Sequence, residues 1–396
     1  MIAVADVEAA RARLRGVVYE TPCAHSETLS ALTGARCFVK LENLQMTGSF
    51  KERGAANLLL QLSPIERARG VVAASAGNHG MAVAFHATRL GIRSVIVMPE
   101  WAPLIKVGSA RRHGAEVVLA GARYEDAYAR AREIEAERGL TFVHPFDDER
   151  VIAGQGTLGL EIVEQCPQAD AVIVPVGGGG LIAGVAVAAR ARKPAIRVIG
   201  VRAADLASIA DGIAVRDRGT LTADVIAREV ETVVTVTEEE IANAILLLLE
   251  IEKTVVEGAG ATTLAALVNR PLGLAGRHVV LLLSGGNIDV TVISRIIERG
   301  LVKDGRLVRL AVVLLDRPGA LAQLTALVAE SRANILNIAH NRAFSGARIG
   351  ESEVELTLET SGRTQIDELT GRLRDAGFEI RQEVRGAAET EVRGAA

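Results

Sequence analysis

The sequence has few of the features that mark a secreted, membrane-bound or nucleic-acid-binding protein. Its three cysteines, Cys23, Cys37 and Cys166, are widely spaced and form no CxxC or Cys/His cluster, so we expect reduced thiols in a cytoplasmic protein. The N-terminus carries Asp6 and Glu8 and lacks the basic and apolar regions of a signal peptide. The 45 basic and 48 acidic residues nearly cancel, which predicts no electrostatic attraction to nucleic acid or to a membrane surface.

Long hydrophobic runs and lysines are scarce as well. The one uncharged run of membrane-spanning length, residues 171–189, contains Pro175 and four consecutive glycines. Because irregular backbone exposed to lipid is very unfavourable, we interpret this run as a strand, a loop and a helix of a buried core. Only six of the 45 basic residues are lysines, so a lysine close to other candidate site residues merits attention.

Alternating patterns organise most of the chain, which has 396 residues and is long enough for two or three domains. From about residue 36 to 300, short apolar runs alternate with helical patterns, which predicts an α/β fold with a parallel sheet covered by helices on both faces. The predicted strands are residues 37–41, 70–74, 94–98, 116–119, 171–175, 197–201 and 278–283, and the predicted helices include 81–90, 124–138, 181–191 and 238–250.

A different pattern follows a polar linker at residues 303–306. Its predicted strands are 307–315, 334–344, 351–359 and 378–381, and its predicted helices are 318–332 and 365–376. This order is βαββαβ, typical of a small separate α+β domain. We therefore predict one region over 1–305, with a small subdomain at about 40–145, and a second domain over 306–382. The tail at 383–396 repeats Glu-Val-Arg-Gly-Ala-Ala and is expected to be flexible.

Four consecutive glycines, Gly177–Gly180, follow a predicted strand and open a predicted helix. Backbone N–H groups in such a loop can surround a phosphate, and the helix dipole favours an anion. The loop also contains the dinucleotide fingerprint GxGxxA, ending at Ala183, but that fingerprint normally has an acidic residue after the next strand. This chain has Arg202 there. An NADP site, and close helix packing without any ligand, remain as alternatives.

Three further features indicate chemistry. The loop Ser75-Ala76-Gly77-Asn78-His79 offers backbone amides and polar side chains to a carboxylate. Lys51 begins a helical pattern, where partial shelter can lower the pKa of its amine and free it as a nucleophile, although alone it would be interpreted as a surface lysine. Ser284 places a hydroxyl at the end of an apolar strand. Together with the glycine loop, these features indicate an amino-acid Schiff-base enzyme.

Four stretches resemble, in the same order over residues 49–287, the threonine/serine dehydratase group of fold-type II pyridoxal-phosphate enzymes. They are Ser49-Phe50-Lys51-Glu52-Arg53-Gly54-Ala55, Ser75-Ala76-Gly77-Asn78-His79, Gly177-Gly178-Gly179-Gly180 and Ser284-Gly285-Gly286-Asn287. The resemblance implies two open, mostly parallel sheets with helices on both faces, and pyridoxal 5′-phosphate as the cofactor of a catalytic region over 1–305. It also implies removal of water and ammonia from L-threonine, giving 2-oxobutanoate, and from L-serine, giving pyruvate.

The same resemblance assigns roles by position. Lys51 would carry the cofactor through an imine and then transfer protons, Phe50 would pack on the cofactor ring, and Asn78 would bond the 3′-oxygen of the ring. Ser284 would face the pyridine nitrogen. The cofactor phosphate would be held by Gly177, Gly178, Gly179 and Gly180. The substrate carboxylate would be bound by Ser75, Ala76, Gly77, Asn78 and His79, including their backbone amides.

Alternatives stay open within and beyond this group. Serine racemase-like relatives carry a Ser at the position of Ala76, whose methyl group has no proton to give, so racemisation is disfavoured. Cysteine-synthase-like relatives carry Thr at the position of His79. A non-catalytic amino-acid sensor is a different class, and the presence of Lys51 speaks against it. Relatives usually have an acidic metal ligand in a longer segment than 202–208, so the sequence leaves the requirement for a monovalent or divalent cation undecided.

Residues 307–381 resemble an ACT-type regulatory domain through the run Asp316-Arg317-Pro318-Gly319-Ala320-Leu321. The resemblance implies an amino-acid effector, with isoleucine or valine as the natural candidates because 2-oxobutanoate feeds isoleucine biosynthesis. The effector would dock at Pro318, Gly319, Ala320 and Leu321, where backbone amides begin a helix. Such domains pair across chains, which implies allosteric control in a homo-oligomer, a dimer or a tetramer. A purely structural dimerisation domain is the alternative.

Overall fold

The computed structural model describes residues 2–205, 208–215, 219–342 and 347–384. The chain forms two compact units that divide between Ile288 and Asp289. The sequence places the division at 305/306 instead. The helix Val290–Lys303 lies between these two positions and groups with the second unit. The limits 1–305 and 306–382 stay a prediction, and the expected flexible tail lies outside the described residues from residue 385 onward.

The strands of the described chain are β1 Cys23–Ser26, β2 Arg36–Leu41, β3 Val71–Ala74, β4 Ser94–Met98, β5 Glu116–Leu119, β6 Thr141–Phe142, β7 Ala171–Pro175, β8 Arg197–Ala203, β9 Thr232–Val236, β10 His278–Leu283, β11 Leu307–Leu315, β12 Asn334–Asn341, β13 Glu351–Glu359 and β14 Glu379–Val384. In the first unit, one sheet has the order β1-β2-β10-β7-β8-β9 and the other β5-β4-β3-β6. Neighbouring strands are parallel except β1, which runs antiparallel to β2. The two open, mostly parallel sheets expected from the sequence are confirmed.

The α-helices are α1 Val4–Leu14, α2 Glu27–Thr33, α3 Lys51–Leu60, α4 Pro64–Arg69, α5 Asn78–Arg89, α6 Leu104–Arg112, α7 Tyr124–Arg138, α8 Glu149–Gln165, α9 Gly180–Arg192, α10 Thr220–Glu229, α11 Glu238–Ile251, α12 Gly258–Asn269, α13 Val290–Lys303, α14 Ala320–Glu330 and α15 Arg363–Asp375, with short 3₁₀ turns at Glu42–Leu44 and Asp211–Ile213. None of the helices in the described ranges combines the length and apolar composition needed to cross a membrane.

Helices cover both faces of the four-stranded sheet. Along β3, Val71 and Ala73 face a core that includes side chains of α3 and α5. Val72 and Ala74 point to the opposite face, where they pack against α7. Because successive side chains of a strand alternate between faces, a strand covered on both sides must be apolar throughout, which is why these strands are continuous hydrophobic runs.

Close helix contacts fix the position of α3, the helix that begins at Lys51. Gly154 in α8 lies so near α3 that a Cβ there would come within 2.5 Å of the Arg53 carbonyl oxygen. Gly184 in α9 has the same relationship to α8, since its Cβ would lie 2.4 Å from the Ile152 carbonyl oxygen. Only glycine permits backbones to approach this closely. Helices α3, α8 and α9 therefore form one tightly packed layer.

The second unit contains a four-stranded antiparallel sheet of order β12-β13-β11-β14. Helix α14 connects β11 to β12, and α15 connects β13 to β14, so the expected βαββαβ order is confirmed. Along β13, Val354, Leu356 and Leu358 are buried against both helices. Several predicted bounds were wrong: α14 spans Ala320–Glu330 and not 318–332, α15 spans Arg363–Asp375 and not 365–376, and β14 spans Glu379–Val384 and not 378–381. β12 ends at Asn341 and not at 344, whereas residues 343–346 lie outside the described chain.

Candidate active site

The candidate site lies in the first unit, where three strands end and α3 begins. Loops follow β3 at Ser75, β7 at Val176 and β10 at Ser284. The N–H of Phe50 donates to the Ser284 carbonyl oxygen at 3.0 Å, which places the start of α3 beside the end of β10. In parallel sheets, ligands bind in the crevice at the carboxyl ends of the strands. The motifs quoted from the sequence therefore gather where such folds bind ligands.

Lys51 is the first residue of α3, and its side chain is half-buried. Its Nζ donates to the Pro145 carbonyl oxygen at 2.9 Å and lies 5.2 Å from the centroid of the Phe50 ring. Burial lowers the pKa of Lys51 to about 8, and the negative charge of Glu257 opposes that shift. The amine is therefore neutral far more often at neutral pH than an ordinary lysine, as a nucleophile or a base requires.

The tetraglycine loop, Gly177–Gly180, is buried and presents backbone N–H groups without partners. Among the described residues, no acceptor lies within hydrogen-bond distance of the four N–H groups of this loop. Buried backbone donors are nearly always paired, and Gly180 begins α9, a position where an anion is favoured. The loop therefore fits a phosphate group.

Packing also requires glycine in this loop. A Cβ at Gly178 would lie 2.3 Å from the ring of Phe146, and Gly179 has a left-handed φ of 96°. Thr222 in α10 donates its hydroxyl to the Gly178 carbonyl oxygen at 2.7 Å. Close packing, the alternative left open by the sequence, therefore explains why these positions have no side chains. It does not explain the unpaired amides, which fit an anion.

Ser284 has a buried hydroxyl that lacks a hydrogen-bond partner. The residue is 1% exposed, and no described residue bonds its Oγ. An unpaired buried hydroxyl is unfavourable by about 1–3 kcal/mol, so such groups usually mark a missing ligand or water. The ring nitrogen of a bound cofactor would give this hydroxyl a hydrogen-bond partner, which agrees with the position expected from the sequence.

The loop after β3 offers backbone donors to a substrate carboxylate. Gly77 donates its N–H to the Ser75 hydroxyl at 3.1 Å, which shapes the turn before α5. The N–H groups of Ala76, Asn78 and His79 have no acceptor among the residues that the structure describes. They sit at the start of α5, where the helix dipole favours negative charge. Carboxylate binding by this loop therefore stays a prediction that the geometry supports.

The His79 ring has a different environment from the one the motif suggested. It is 4% exposed, and its Nε2 bonds the Val143 carbonyl oxygen at 2.8 Å. Burial, together with the positive charge of Lys51, lowers the pKa of His79 to about 3, so the neutral ring donates this bond. The ring holds α5 against the segment that follows β6. A role of His79 in carboxylate binding therefore rests on its backbone amide.

Asn78 lies at the centre of a hydrogen-bonded cluster. Its Nδ2 donates to Oε1 and Oε2 of Glu257 at 2.8 and 2.9 Å. Its Oδ1 accepts from Nδ2 of Asn287 at 2.8 Å, and the same nitrogen donates to the Thr47 carbonyl oxygen at 2.7 Å. Burial raises the pKa of Glu257 to about 7. The cluster thus joins three loops around Lys51.

Sequence reasoning gave no role to Asn287, although it ends a quoted motif. It missed Phe146 and Thr222, which contact the tetraglycine loop. A signal for Phe146 existed in the run 144–147, where two ring-bearing residues, a proline and an aspartate follow a short β-like segment. No comparable signal marks Thr222, because its partner Gly178 is 44 positions away in the chain.

Comparison with known proteins agrees with this geometry. A family model described as pyridoxal-phosphate dependent enzyme matches residues 14–285. The chain belongs to this family. Pyridoxal phosphate is therefore its cofactor, and the residues present fit it: the tetraglycine amides suit the phosphate, the Ser284 hydroxyl the ring nitrogen, and the Lys51 amine the aldehyde. A dinucleotide site at the same loop is thereby excluded as the main function.

Relatives within the pyridoxal-phosphate family cover nearly the whole chain. L-threonine ammonia-lyase of Thermotoga maritima is 47% identical over 96% of this chain and 99% of that protein. L-threonine ammonia-lyase of Geobacter sulfurreducens is 46% identical over 94% and 97%. Among solved structures, the threonine deaminase of T.th. has a TM-score of 0.69 and 39% identity, covering 72% of this chain and 99% of that one. Maize serine racemase has a TM-score of 0.71 and 33% identity, covering 76% and 98%.

The sequence left the cation requirement undecided and predicted an effector site in the second unit. Within the described residues, no group of three His, Cys, Asp or Glu side chains is placed to hold a metal ion, and the segment 202–208 is described only to residue 205 and at 208. In the second unit, Gly319 precedes α14 with φ of 91°, and Pro318 lies before it. Ala320 and Leu321 form the first turn, so the four expected effector residues surround a helix N-terminus.

Proposed function

We propose that this chain is an L-threonine ammonia-lyase that converts L-threonine to 2-oxobutanoate and ammonia and also accepts L-serine. The observation that carries the proposal is the half-buried Lys51 amine, with its pKa near 8, in one site with the unpaired tetraglycine amides and the unpaired Ser284 hydroxyl. The two ammonia-lyases that are 47% and 46% identical support the substrate. One methyl group separates threonine from serine, a difference worth only about 1–3 kcal/mol in an apolar pocket.

The chain's own residues then divide the work. Bound pyridoxal phosphate supplies an electron sink for the negative charge that develops at the substrate α-carbon. Lys51 takes the α-proton at Nζ, because its lowered pKa makes the neutral amine far more abundant than in an ordinary lysine. The amides at the start of α5 hold the carboxylate and orient the α-carbon. The Ser284 hydroxyl is a poor proton donor, so it bonds the ring nitrogen without protonating it, which favours prompt elimination over racemisation or transamination.

A 2-keto acid assay on the holoenzyme tests the proposal. L-threonine and L-serine should give keto acid, their D-forms should not, and Lys51→Ala should abolish both the activity and the visible absorption band of the bound cofactor. Lys193→Ala is the matched control, because Lys193 is a half-buried lysine of the same unit whose Nζ also donates to a backbone carbonyl oxygen, that of Pro167 at 2.8 Å; it should keep the band. If no keto acid forms from any of the four amino acids, the proposal fails. A protein that binds amino acids without turnover would be a sensor.

Racemisation is the second candidate, because maize serine racemase shares the fold at 33% identity. Ala76 argues against it: its methyl group packs on the apolar core beneath β3 and offers no proton. Chiral chromatography of L-serine incubated with the enzyme should detect no D-serine. Accumulation of D-serine in the wild-type protein would make racemisation the better assignment.

We also propose that the second unit is an ACT-like regulatory domain. Its βαββαβ order, its sheet order β12-β13-β11-β14 and the glycine-led start of α14 support the assignment. We expect isoleucine or valine to dock at residues 318–321 and to change the velocity and the oligomeric state, a dimer or a tetramer in the cytoplasm. Initial rates and sedimentation velocity with and without each amino acid test this. If neither amino acid changes either quantity, feedback control must be abandoned.

A further inference from the structure

Glu257 occupies a buried position where three segments of the candidate site meet. The residue is 3% exposed and immediately precedes α12. Its N–H donates to the Gly285 carbonyl oxygen at 2.9 Å, and a Cβ at Gly285 would lie 2.6 Å from Glu257 Oε1. The absence of a side chain at Gly285 therefore leaves room for the carboxylate, which accepts from Asn78 at the start of α5.

The contact between Glu257 and Asn78 uses one N–H. Both carboxylate oxygens lie within hydrogen-bond distance of the single nitrogen Nδ2, at 2.8 and 2.9 Å. Seen from the nitrogen, the angle between the two N–H bonds of an amide is much wider than the angle between the directions to the two oxygens of one carboxylate. One N–H therefore donates to both oxygens. The second N–H of Asn78 stays available for another acceptor.

Asn287 removes the alternative orientation of the Asn78 amide. Its Nδ2 lies 2.7 Å from the Thr47 carbonyl oxygen and 2.8 Å from Asn78 Oδ1. The Thr47 carbonyl can only accept, so this Nδ2 must be a donor. A flipped Asn78 would set its own N–H groups against that donor and its oxygen against the Glu257 carboxylate. Both contacts would be repulsive, so the amide orientation of Asn78 is fixed.

We propose that Glu257 is a positioning residue: its carboxylate locks Asn78 so that the free N–H of Asn78 faces the bound coenzyme. This inference rests on the proposed function of the site as a pyridoxal-phosphate centre, and it concerns a residue that acts through Asn78. Without the carboxylate, Asn78 keeps the bond from Asn287 to its oxygen, but no bond holds its amide nitrogen. The donor that meets the coenzyme is then less firmly oriented.

Three charged groups face Glu257 from the elements packed around it. Lys51 lies at the start of α3, Lys106 on α6, and Asp211 on the turn before residue 214; Lys106 and Asp211 pair at 2.7 Å. Burial is the largest influence and raises the pKa of Glu257 to about 7, with Asp211 raising it further and the Asn78 bond and Lys106 opposing. Protonation removes the negative charge of Glu257 and leaves its carbonyl oxygen as the acceptor, so the bond from Asn78 weakens as pH falls through about 7.

A double-mutant cycle on coenzyme affinity tests the inference. The dissociation constant of pyridoxal phosphate is measured for the wild type, Glu257→Ala, Asn78→Ala and the double variant, because alanine at position 257 removes the acceptor. Each single variant should bind coenzyme roughly tenfold more weakly or worse, and the double variant should match Asn78→Ala within about twofold. Additive losses would mean that Glu257 does not act through Asn78, and an unchanged dissociation constant in Glu257→Ala would mean that it does not act at all.

The pH dependence of the same constant gives a second readout that a merely structural residue would not move. Wild-type affinity should fall as pH drops below the Lys51 pKa of about 8 and again through about 7, and only the lower step should vanish in Glu257→Gln. Asp211→Asn removes a charge that raises the pKa of Glu257, so it should move the step to lower pH. If the step persists unchanged in Glu257→Gln, the inference is wrong.

Both measurements stay informative under other failures. Melting of the coenzyme-free variants reports whether Glu257→Gln folds, and if it does not, the shift in Asp211→Asn decides, since an unmoved step overturns the inference. Neither measurement uses threonine. If the enzyme did not turn over threonine, the proposed function would fail, but the double-mutant cycle could still be interpreted.

Discussion

Arg53 and Glu161 form a buried ion pair, and Arg53 lies two positions after Lys51 in the chain. Their Nη1 and Oε1 atoms lie 2.5 Å apart, with 1% and 7% of the side chains exposed. Glu42 accepts from Nε of Arg53 at 2.8 Å, and Lys40 donates to Glu161 at 2.6 Å. Two cations and two anions thus cancel inside the protein. The cluster ties α3 to β2 and α8, so the start of α3 cannot shift independently.

Replacing Arg53 should be strongly destabilising. In a buried environment, Arg53→Met leaves Glu42 without its cationic partner and leaves Glu161 paired with Lys40 alone. Breaking such a pair lowers the free energy of unfolding by about 3–5 kcal/mol. Urea denaturation of the coenzyme-free protein measures the change. Arg11→Ala is the matched control, because Arg11 pairs with Glu164 on the same helix α8 at an exposed position, where about 0–1 kcal/mol is expected. Equal losses in the two variants would refute the special role of the buried cluster.

The first unit could be predicted in outline because its central strands are continuous apolar runs. The strands 94–98, 116–119, 171–175 and 278–283 have the predicted bounds. β1 and β9 were not predicted: both are edge strands with largely exposed side chains, so neither shows the apolar pattern that marks a buried strand. Helix α5 begins at Asn78, three residues before the predicted start, because Asn-His-Gly has the composition of a loop.

Ser284→Ala should stabilise the coenzyme-free protein and weaken the binding of the coenzyme. Without coenzyme, it removes an unpaired buried hydroxyl and should raise the free energy of unfolding by up to about 1 kcal/mol. With coenzyme, it removes a hydrogen bond and should weaken binding roughly five- to tenfold. Ser94→Ala is the control, since Ser94 in β4 has another buried hydroxyl without a described partner. It should stabilise similarly and leave coenzyme affinity unchanged; a weakened affinity there would show that the effect is not local to Ser284.

Gly178→Ala should damage the tetraglycine loop. The new methyl group would lie 2.3 Å from the Phe146 ring, and such overpacking lowers stability by about 1–3 kcal/mol. Coenzyme affinity should fall with it, because the loop amides would be displaced. Gly108→Ala, in the middle of α6 with only the Arg112 guanidinium within 4 Å, should instead stabilise by about 0.5–1 kcal/mol. Thermal melting and coenzyme titration of both variants decide whether position 178 is exceptional.

Capture of pyridoxal phosphate by the coenzyme-free protein should depend on pH through Lys51. Only the neutral amine reacts, and its pKa is about 8, so the second-order rate should rise about tenfold per pH unit below that value and level off above it. Glu257→Gln removes a negative charge that raises the pKa of Lys51, so the midpoint should move to lower pH. Stopped-flow absorbance measures the rate. A midpoint at the ordinary lysine value would show that Lys51 is solvated in solution.

The site could be predicted only as separate motifs. Lys51, Asn78, the tetraglycine loop and Ser284 stand in recognisable surroundings, but the partners of Asn78 are 179 and 209 positions away in the chain. No local pattern announces such contacts, since they depend on how two sheets are placed. For His79 the local pattern was misleading, because its ring bonds Val143 inside the fold.

Side-chain hydrogen bonds attach helix α10 to the tetraglycine loop, in addition to the chain that connects the two. The Asp147 carboxylate accepts the N–H groups of Thr220, Leu221 and Thr222, and the Thr222 hydroxyl holds the Gly178 carbonyl. On the other side, Glu238 binds the Ser208 hydroxyl and the Ile209 N–H. A substitution at Asp147 would therefore loosen the phosphate loop through Thr222 without touching the coenzyme, although Asp147 and Thr222 are 75 positions apart in the chain.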